Sequence, residues 1–275
     1  MELQGAGHST FVANLLSLHD QQYCVTKRIR ELLNNEQYSD LTIICENETF
    51  HAHKNIVCTG SSYFDAACNN PGFTESQGTF DLRNSETMFV KKVLYFLYTG
   101  DYNFDEEKKA YKDMKGPKSK KRSANGETVE APAPPTKLLT EKEIKFMENH
   151  PAYLHYRVYA EGEYFMINDL KDKAADYFKQ ALLAKRIPPA QFVEMVQEIF
   201  TDRPNVEPLQ DALLAHCVRN LQYYQRGRQP VLTTEFLKQR PIFANAFCLE
   251  LTEEYIRVLR DHPGVILQPG GHLGR

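Results

Sequence analysis

Two imidazoles, a serine pair and a run of lysines are the parts of this chain that could do chemistry. His51-Ala52-His53 sets two histidines on one face of an extended segment, the H-x-H spacing by which a strand can hold zinc. Such a site needs a third ligand and usually a fourth. No cysteine or carboxylate stands nearby at motif spacing, although Cys45 could face the pair across a hairpin. The histidines are therefore read as strand residues, one of them buried and hydrogen-bonded. Ser61-Ser62, with histidines close in sequence, raises a hydrolase, but no G-x-S-x-G elbow and no Gly-rich anion loop accompanies it. No catalytic, cofactor-binding or metal residue is assigned. The chain is expected to be non-enzymatic and to use no cofactor.

From Lys108 to Arg122 there are eight basic residues against one acidic. Within that run Lys118, Lys120, Lys121 and Arg122, preceded by Gly116 and Pro117, make an exposed cationic segment of the nuclear-localisation kind. The same charges could meet phosphates by releasing counterions. Tyr111 is the one aromatic residue among them, so base stacking is absent and direct nucleic-acid binding is not expected. A solvated loop is the competing reading. The formal charge of −3 on the whole chain excludes a globally basic nucleic-acid protein.

The elements around these residues follow from apolar spacing. Residues 9–22 are weakly amphipathic, and from Lys27 to Asn35 the positions Ile29, Leu32 and Leu33 suit a short one-faced helix. Leu41–Cys45 reads as a strand, Glu46–Glu48 as a turn and Thr49–Ala52 as its antiparallel return. Asn55 to Cys68 reads as one helix, broken at Asn69–Gly72, and Thr79–Leu82 as another strand. Ser85 is placed to cap a helix running to Tyr98, apolar on nearly every face and hence central. Residues 105 to about 137 carry charge, small residues and prolines with almost nothing to bury, an insertion expected to be disordered.

Helical character resumes near Leu138, with Leu170, Ala174, Phe178 and Leu182 at four-residue steps. Ala190 to Tyr224 then holds two amphipathic helices, with Pro204 and Pro208 in the turn between them. A looser apolar pattern runs through Phe236, Phe243, Phe247, Leu251 and Ile256. No run of about 18 apolar residues exists, so no membrane span is expected. The N-terminus lacks the basic start and long apolar core of a signal peptide. Six cysteines at wide, irregular spacing are read as reduced, buried thiols of an intracellular protein, in nucleus or cytoplasm.

Five fragments in order resemble the BTB/POZ domain: Asp40-Leu41 at the entry to the first strand, Phe50-His51-Ala52-His53-Lys54, Ser61-Ser62-Tyr63-Phe64, the segment VLYFLYTG from Val93 to Gly100, and the segment VYAEGEYFMI from Val158 to Ile167. The resemblance is nearest to fungal members, which often carry a polar insertion at this point. It implies an α+β fold, a helical cluster flanked by short sheets. The domain would occupy residues 27–184, after an N-terminal extension (1–26) and before an α-helical C-terminal extension (185–275). It also implies a homodimer, with Asp40 and Lys54 as a charged pair near the dimer groove.

The resemblance further implies a protein–protein scaffold. Phe104-Asp105-Glu106 is similar to the hydrophobic-x-Glu signature of members that recruit a cullin, and the helices from Pro188 to Leu221 are similar to the extension that follows BTB in some ubiquitin-ligase adaptors. Candidate cullin contacts are Tyr63, Cys68, Phe104 and Glu106. Cys68 departs from the family, standing where many members have a large apolar residue used in docking. The expected role is adaptor of a cullin-three ubiquitin ligase. The rival is a nuclear, transcription-related or other assembly module acting without ubiquitin. The expected partners are proteins, including a second copy, with no membrane.

Overall fold

The computed structural model describes residues 26–72, 74–103, 140–201 and 206–261. The chain divides into two compact units, Met1–Ala174 and Ala175–Arg275. In the first, residues 26–31 form a short helix, α1. Strands β1 (Leu41–Cys45) and β2 (Glu48–Ala52) form a tight antiparallel hairpin, Leu41 opposite Ala52 and Cys45 opposite Glu48. Glu46 makes the turn with a left-handed backbone (φ 47°). Strand β3 (Thr79–Asp81) pairs parallel to β1 on its other edge, so the sheet order is β2-β1-β3. Alternation along β1 buries Leu41, Ile43 and Cys45 on one face, as a period of two requires.

The stretch from Asn55 to Cys68 is two helices, α2 (Lys54–Gly60) and α3 (Ser62–Asn69). Ser61 separates them with an extended backbone (φ −145°, ψ 115°), and its hydroxyl caps α3 by accepting from the Phe64 N–H. A capping serine ends one helix by starting the next. Helix α4 (Thr87–Thr99) is buried at ten of its thirteen positions and stops at Gly100, whose φ of 74° places it in the left-handed region. Its N-cap is Glu86, which makes no side-chain capping bond. Ser85 does not cap it; its carbonyl instead accepts from the Cys45 thiol at 3.1 Å.

Helix α5 (Glu141–Asn149) starts at a capping box between Thr140 and Glu143, three residues past the expected Leu138. Helix α6 (Pro151–Tyr164) packs on α4. Two lysines in α4 are almost fully buried. Lys91 Nζ meets Glu48 at 2.8 Å and Glu143 at 3.4 Å, and Lys92 Nζ donates to the Tyr102 carbonyl at 2.8 Å. The first of these joins the hairpin, α4 and α5. Residues from before and after the 104–139 segment therefore share one core.

Helix α7 (Asn168–Ala184) buries Leu170, Ala174, Phe178 and Leu182. The second unit holds α8 (Pro189–Ile199), α9 (Glu207–Arg219), α10 (Leu221–Arg226), α11 (Thr234–Lys238) and α12 (Pro241–Asp261). Pro208 is inside the first turn of α9, where a missing N–H costs nothing, and not in the turn before it. Aromatic rings make this core: Phe192 stacks on Tyr224 at 4.3 Å, and Phe243 contacts Phe192, Phe200, Phe236 and Phe247. Leu251 is half-buried and Ile256 exposed, so the apolar pattern after Phe247 does not enter the core.

All five cysteines among the described residues are free thiols. Cys45 and Cys217 are buried and Cys58 and Cys68 half-buried, but Cys248 is exposed, against the expectation of buried thiols. No helix among the described residues is long and apolar enough to cross a membrane.

Candidate interaction surface

Helix α3 carries the part of the first unit best suited to meet another molecule. Phe64 points inward, stacked on Phe165 at 5.1 Å and edge-on to Phe80 at 4.9 Å. This three-ring stack is a rigid base. Above it Tyr63, half-buried, lies 5.2 Å from the Tyr164 ring and 5.4 Å from Phe165. The two tyrosine hydroxyls are 3.4 Å apart. Burial, and next the Tyr164 hydroxyl, push the Tyr63 phenol above its ordinary pKa. Tyr164 (52% exposed) and Met166 (60%) extend the patch outward. Tyrosine is one of the side chains that carry most of the energy at protein interfaces, and methionine is frequent at adaptable binding surfaces.

The turn that presents them was not visible in the fragment from Val158 to Ile167, which suggested continuous helix. Helix α6 ends at Tyr164, and Met166 adopts φ 52°, a left-handed conformation unusual for a residue with a side chain. Its N–H donates to the Glu163 carbonyl, and the Ile167 N–H to the Gly162 carbonyl. The one sequence signal for this stop was Asn168-Asp169, the polar pair that opens the first turn of α7. The corner is tied down from the other side, where the Ser61 hydroxyl donates to the Phe165 carbonyl at 2.6 Å.

Cys68 lies half-buried at the far end of α3. The Cys58 thiol beside it is pushed up to about 12, first by burial and then by its hydrogen bond with Cys68. Phe104 and Glu106 fall outside the described residues, as do Lys118, Lys120, Lys121 and Arg122. Asp40 meets Lys54 through the backbone, the Lys54 N–H donating to the Asp40 carboxylate at 2.7 Å, which is not a contact between the two charged side chains. Asp40 is exposed and Lys54 half-buried in this chain. Gly78 (φ 88°) lets the chain pass close by, since a Cβ there would stand 2.9 Å from the Asp40 carbonyl.

The H-x-H pair is divided between two environments. His53 is buried, receives the Tyr98 hydroxyl on Nδ1 at 2.9 Å and donates from Nε2 to the Gln37 carbonyl at 3.0 Å. Its own N–H donates to the same Tyr98 oxygen. Burial above all pushes Tyr98 up to about 12. His51 faces Glu36 at 3.5 Å on the outside. Among the described residues no cluster of three His, Cys, Asp or Glu side chains is placed to hold a metal ion. Nor does a hydrogen bond there join Ser61 or Ser62 to a histidine.

Comparison with known proteins agrees with that geometry. The model of the BTB/POZ domain family matches residues 29–114. A Drosophila melanogaster protein named "Longitudinals lacking protein-like" is 28% identical over 93 residues, which make up 34% of this chain and 71% of that protein.

Proposed function

Because this chain carries a BTB/POZ domain over residues 29–114, a protein-interaction fold, we propose that it is a non-enzymatic scaffold that pairs with itself and docks a second protein. The observation that carries this reading is the Tyr63–Tyr164–Met166 patch, fixed on the Phe64–Phe165–Phe80 stack. Helix α3 is where the family resemblance puts partner docking, and here a tyrosine supplies the bulk that Cys68 does not. The shared core of α4, α5 and α6 supports a domain that continues past residue 114 toward about 184.

The partner best supported is a cullin scaffold, with Tyr63, Cys68, Phe104 and Glu106 at the contact. Asp40 and Lys54 belong to the self-association groove. The test is binding of the purified full chain to a cullin-three N-terminal region by calorimetry. Truncating a central interface tyrosine costs about 2 kcal/mol, roughly 30-fold in affinity. Tyr63→Ala should weaken binding by that much, and Phe104→Ala with Glu106→Ala should abolish it. A wild-type chain that does not bind refutes the cullin reading. The basic run Lys118–Arg122 favours the second reading, a nuclear assembly module acting without ubiquitin.

A further inference from the structure

We propose that the solvent-facing stripe of α12 is a self-association seam, pairing antiparallel with the same helix of a second copy of this chain. Of the nine large hydrophobic side chains exposed among the described residues, five lie on this helix: Ile242, Leu249, Tyr255, Ile256 and Val258. Only its first third is anchored. Phe243 and Phe247 are buried, and from Cys248 to Asp261 no residue is. That leaves fourteen helical residues, about 21 Å of rod, without a core of their own. A helix of that length is marginal in water unless an apolar face is covered.

Spacing identifies the face. Ile242, Leu249 and Ile256 recur every seven residues, and Thr252 and Leu259 follow at three beyond the last two. This is the a/d order of two helices wound together. Thr252 is the polar member, and its hydroxyl already donates to the Cys248 carbonyl at 2.8 Å, so covering it orphans no donor. The stripe lies opposite the anchored Phe243 and Phe247 and is free to receive a partner.

Charge order selects both the occupant and the direction. Glu253 and Arg260, both exposed, flank the stripe at the e positions of successive heptads. A parallel second copy would set these two beside the uncharged Cys248 and Tyr255 of the other helix, whereas a reversed copy brings Glu253 of one helix to Arg260 of the other. The same patch then serves both copies, the requirement of a closed two-fold contact. Leu249 packs against Leu259 of the other copy and Thr252 against Ile256.

The test uses the full chain with Cys248→Ser. Leu249→Cys and Leu259→Cys are made separately, one of them lengthened by a tag, mixed, and oxidised with copper phenanthroline. The mixed disulfide, running at its own position on a non-reducing gel, should exceed either self-linked product at least fivefold. Ile256→Asp in both chains should remove it while leaving the near-ultraviolet circular dichroism of the packed aromatic cores intact. Predominant Leu249→Cys self-linking would show a parallel pair and overturn the proposal. Absence of all three products would also overturn it, showing that residues 262–275, another protein or solvent covers the stripe. A two-fold contact elsewhere on the chain leaves these thiols apart and gives that same negative result.

Discussion

Replacing Ser61 with alanine tests whether one hydroxyl holds the interaction surface in place. Its oxygen accepts from the Phe64 N–H at 3.3 Å and donates to the Phe165 carbonyl at 2.6 Å, in a residue 2% exposed. Losing a serine N-cap costs about 1 kcal/mol. Leaving a buried carbonyl without its donor costs about 1–3 kcal/mol more. Ser61→Ala should therefore lower the stability of the first unit by about 2–4 kcal/mol, read as a lower urea midpoint at unchanged m-value. Ser62→Ala is the control, because that side chain is exposed and outside the cap; it should stay within about 0.5 kcal/mol of wild type. The lost bond is the one that ties α3 to the corner carrying Tyr164 and Met166, so partner binding should weaken along with stability. If Ser61→Ala matches wild type, or Ser62→Ala is equally damaging, the capping argument is wrong.

Two further outcomes follow from buried groups. Burial holds the His216 imidazole below its ordinary 6.5, while Nδ1 donates to the Leu182 carbonyl at 2.8 Å. The Tyr224 hydroxyl has one proton to share between His216 Nε2 at 3.0 Å and the Ile187 carbonyl at 3.2 Å. The unfolded chain thus binds a proton at a pH where the folded one does not. The stability from this group is complete above about pH 6.5 and falls as pH drops from there through the folded-state pKa. Thermal unfolding between pH 7.5 and 5 should show that slope in the second unit, and His216→Gln should flatten it; parallel curves would contradict the assignment. At Gly78, alanine would have to hold φ 88° with its Cβ 2.9 Å from the Asp40 carbonyl. A loss of about 2 kcal/mol or more is expected in calorimetry, with weaker self-association if Asp40 lies at the dimer groove. An unchanged melting temperature would show that the turn relaxes freely.

Much of the first unit was legible because its signals are local. β-branched alternation marks β1, and the Tyr-Thr-Gly end of α4 announces a left-handed cap that glycine accepts without strain. The near-continuous apolar surface of α4 foretold its burial. The same surface hid Lys91 and Lys92, whose burial is tolerated only because Glu48, Glu143 and the Tyr102 carbonyl arrive from other elements. The break at Ser61 was missed because a capping serine and a mid-helix serine have the same spelling, and the Phe165 carbonyl that fixes its role is 104 residues away.

By itself the sequence determined the strand hairpin, the buried central helix, the polar insertion and the BTB/POZ resemblance, since periodicity and short motifs act between residues that are neighbours along the chain. Only the tertiary structure decided that Tyr63, Tyr164 and Met166 make one patch, that His53 is bonded on both ring nitrogens, and that the apolar spacing after Phe247 faces solvent. The physical reason is that exposure and hydrogen-bond partners depend on which distant segments pack together. A seven-residue spacing states that a helix has an apolar stripe, and it is silent on whether that stripe meets its own core or another molecule.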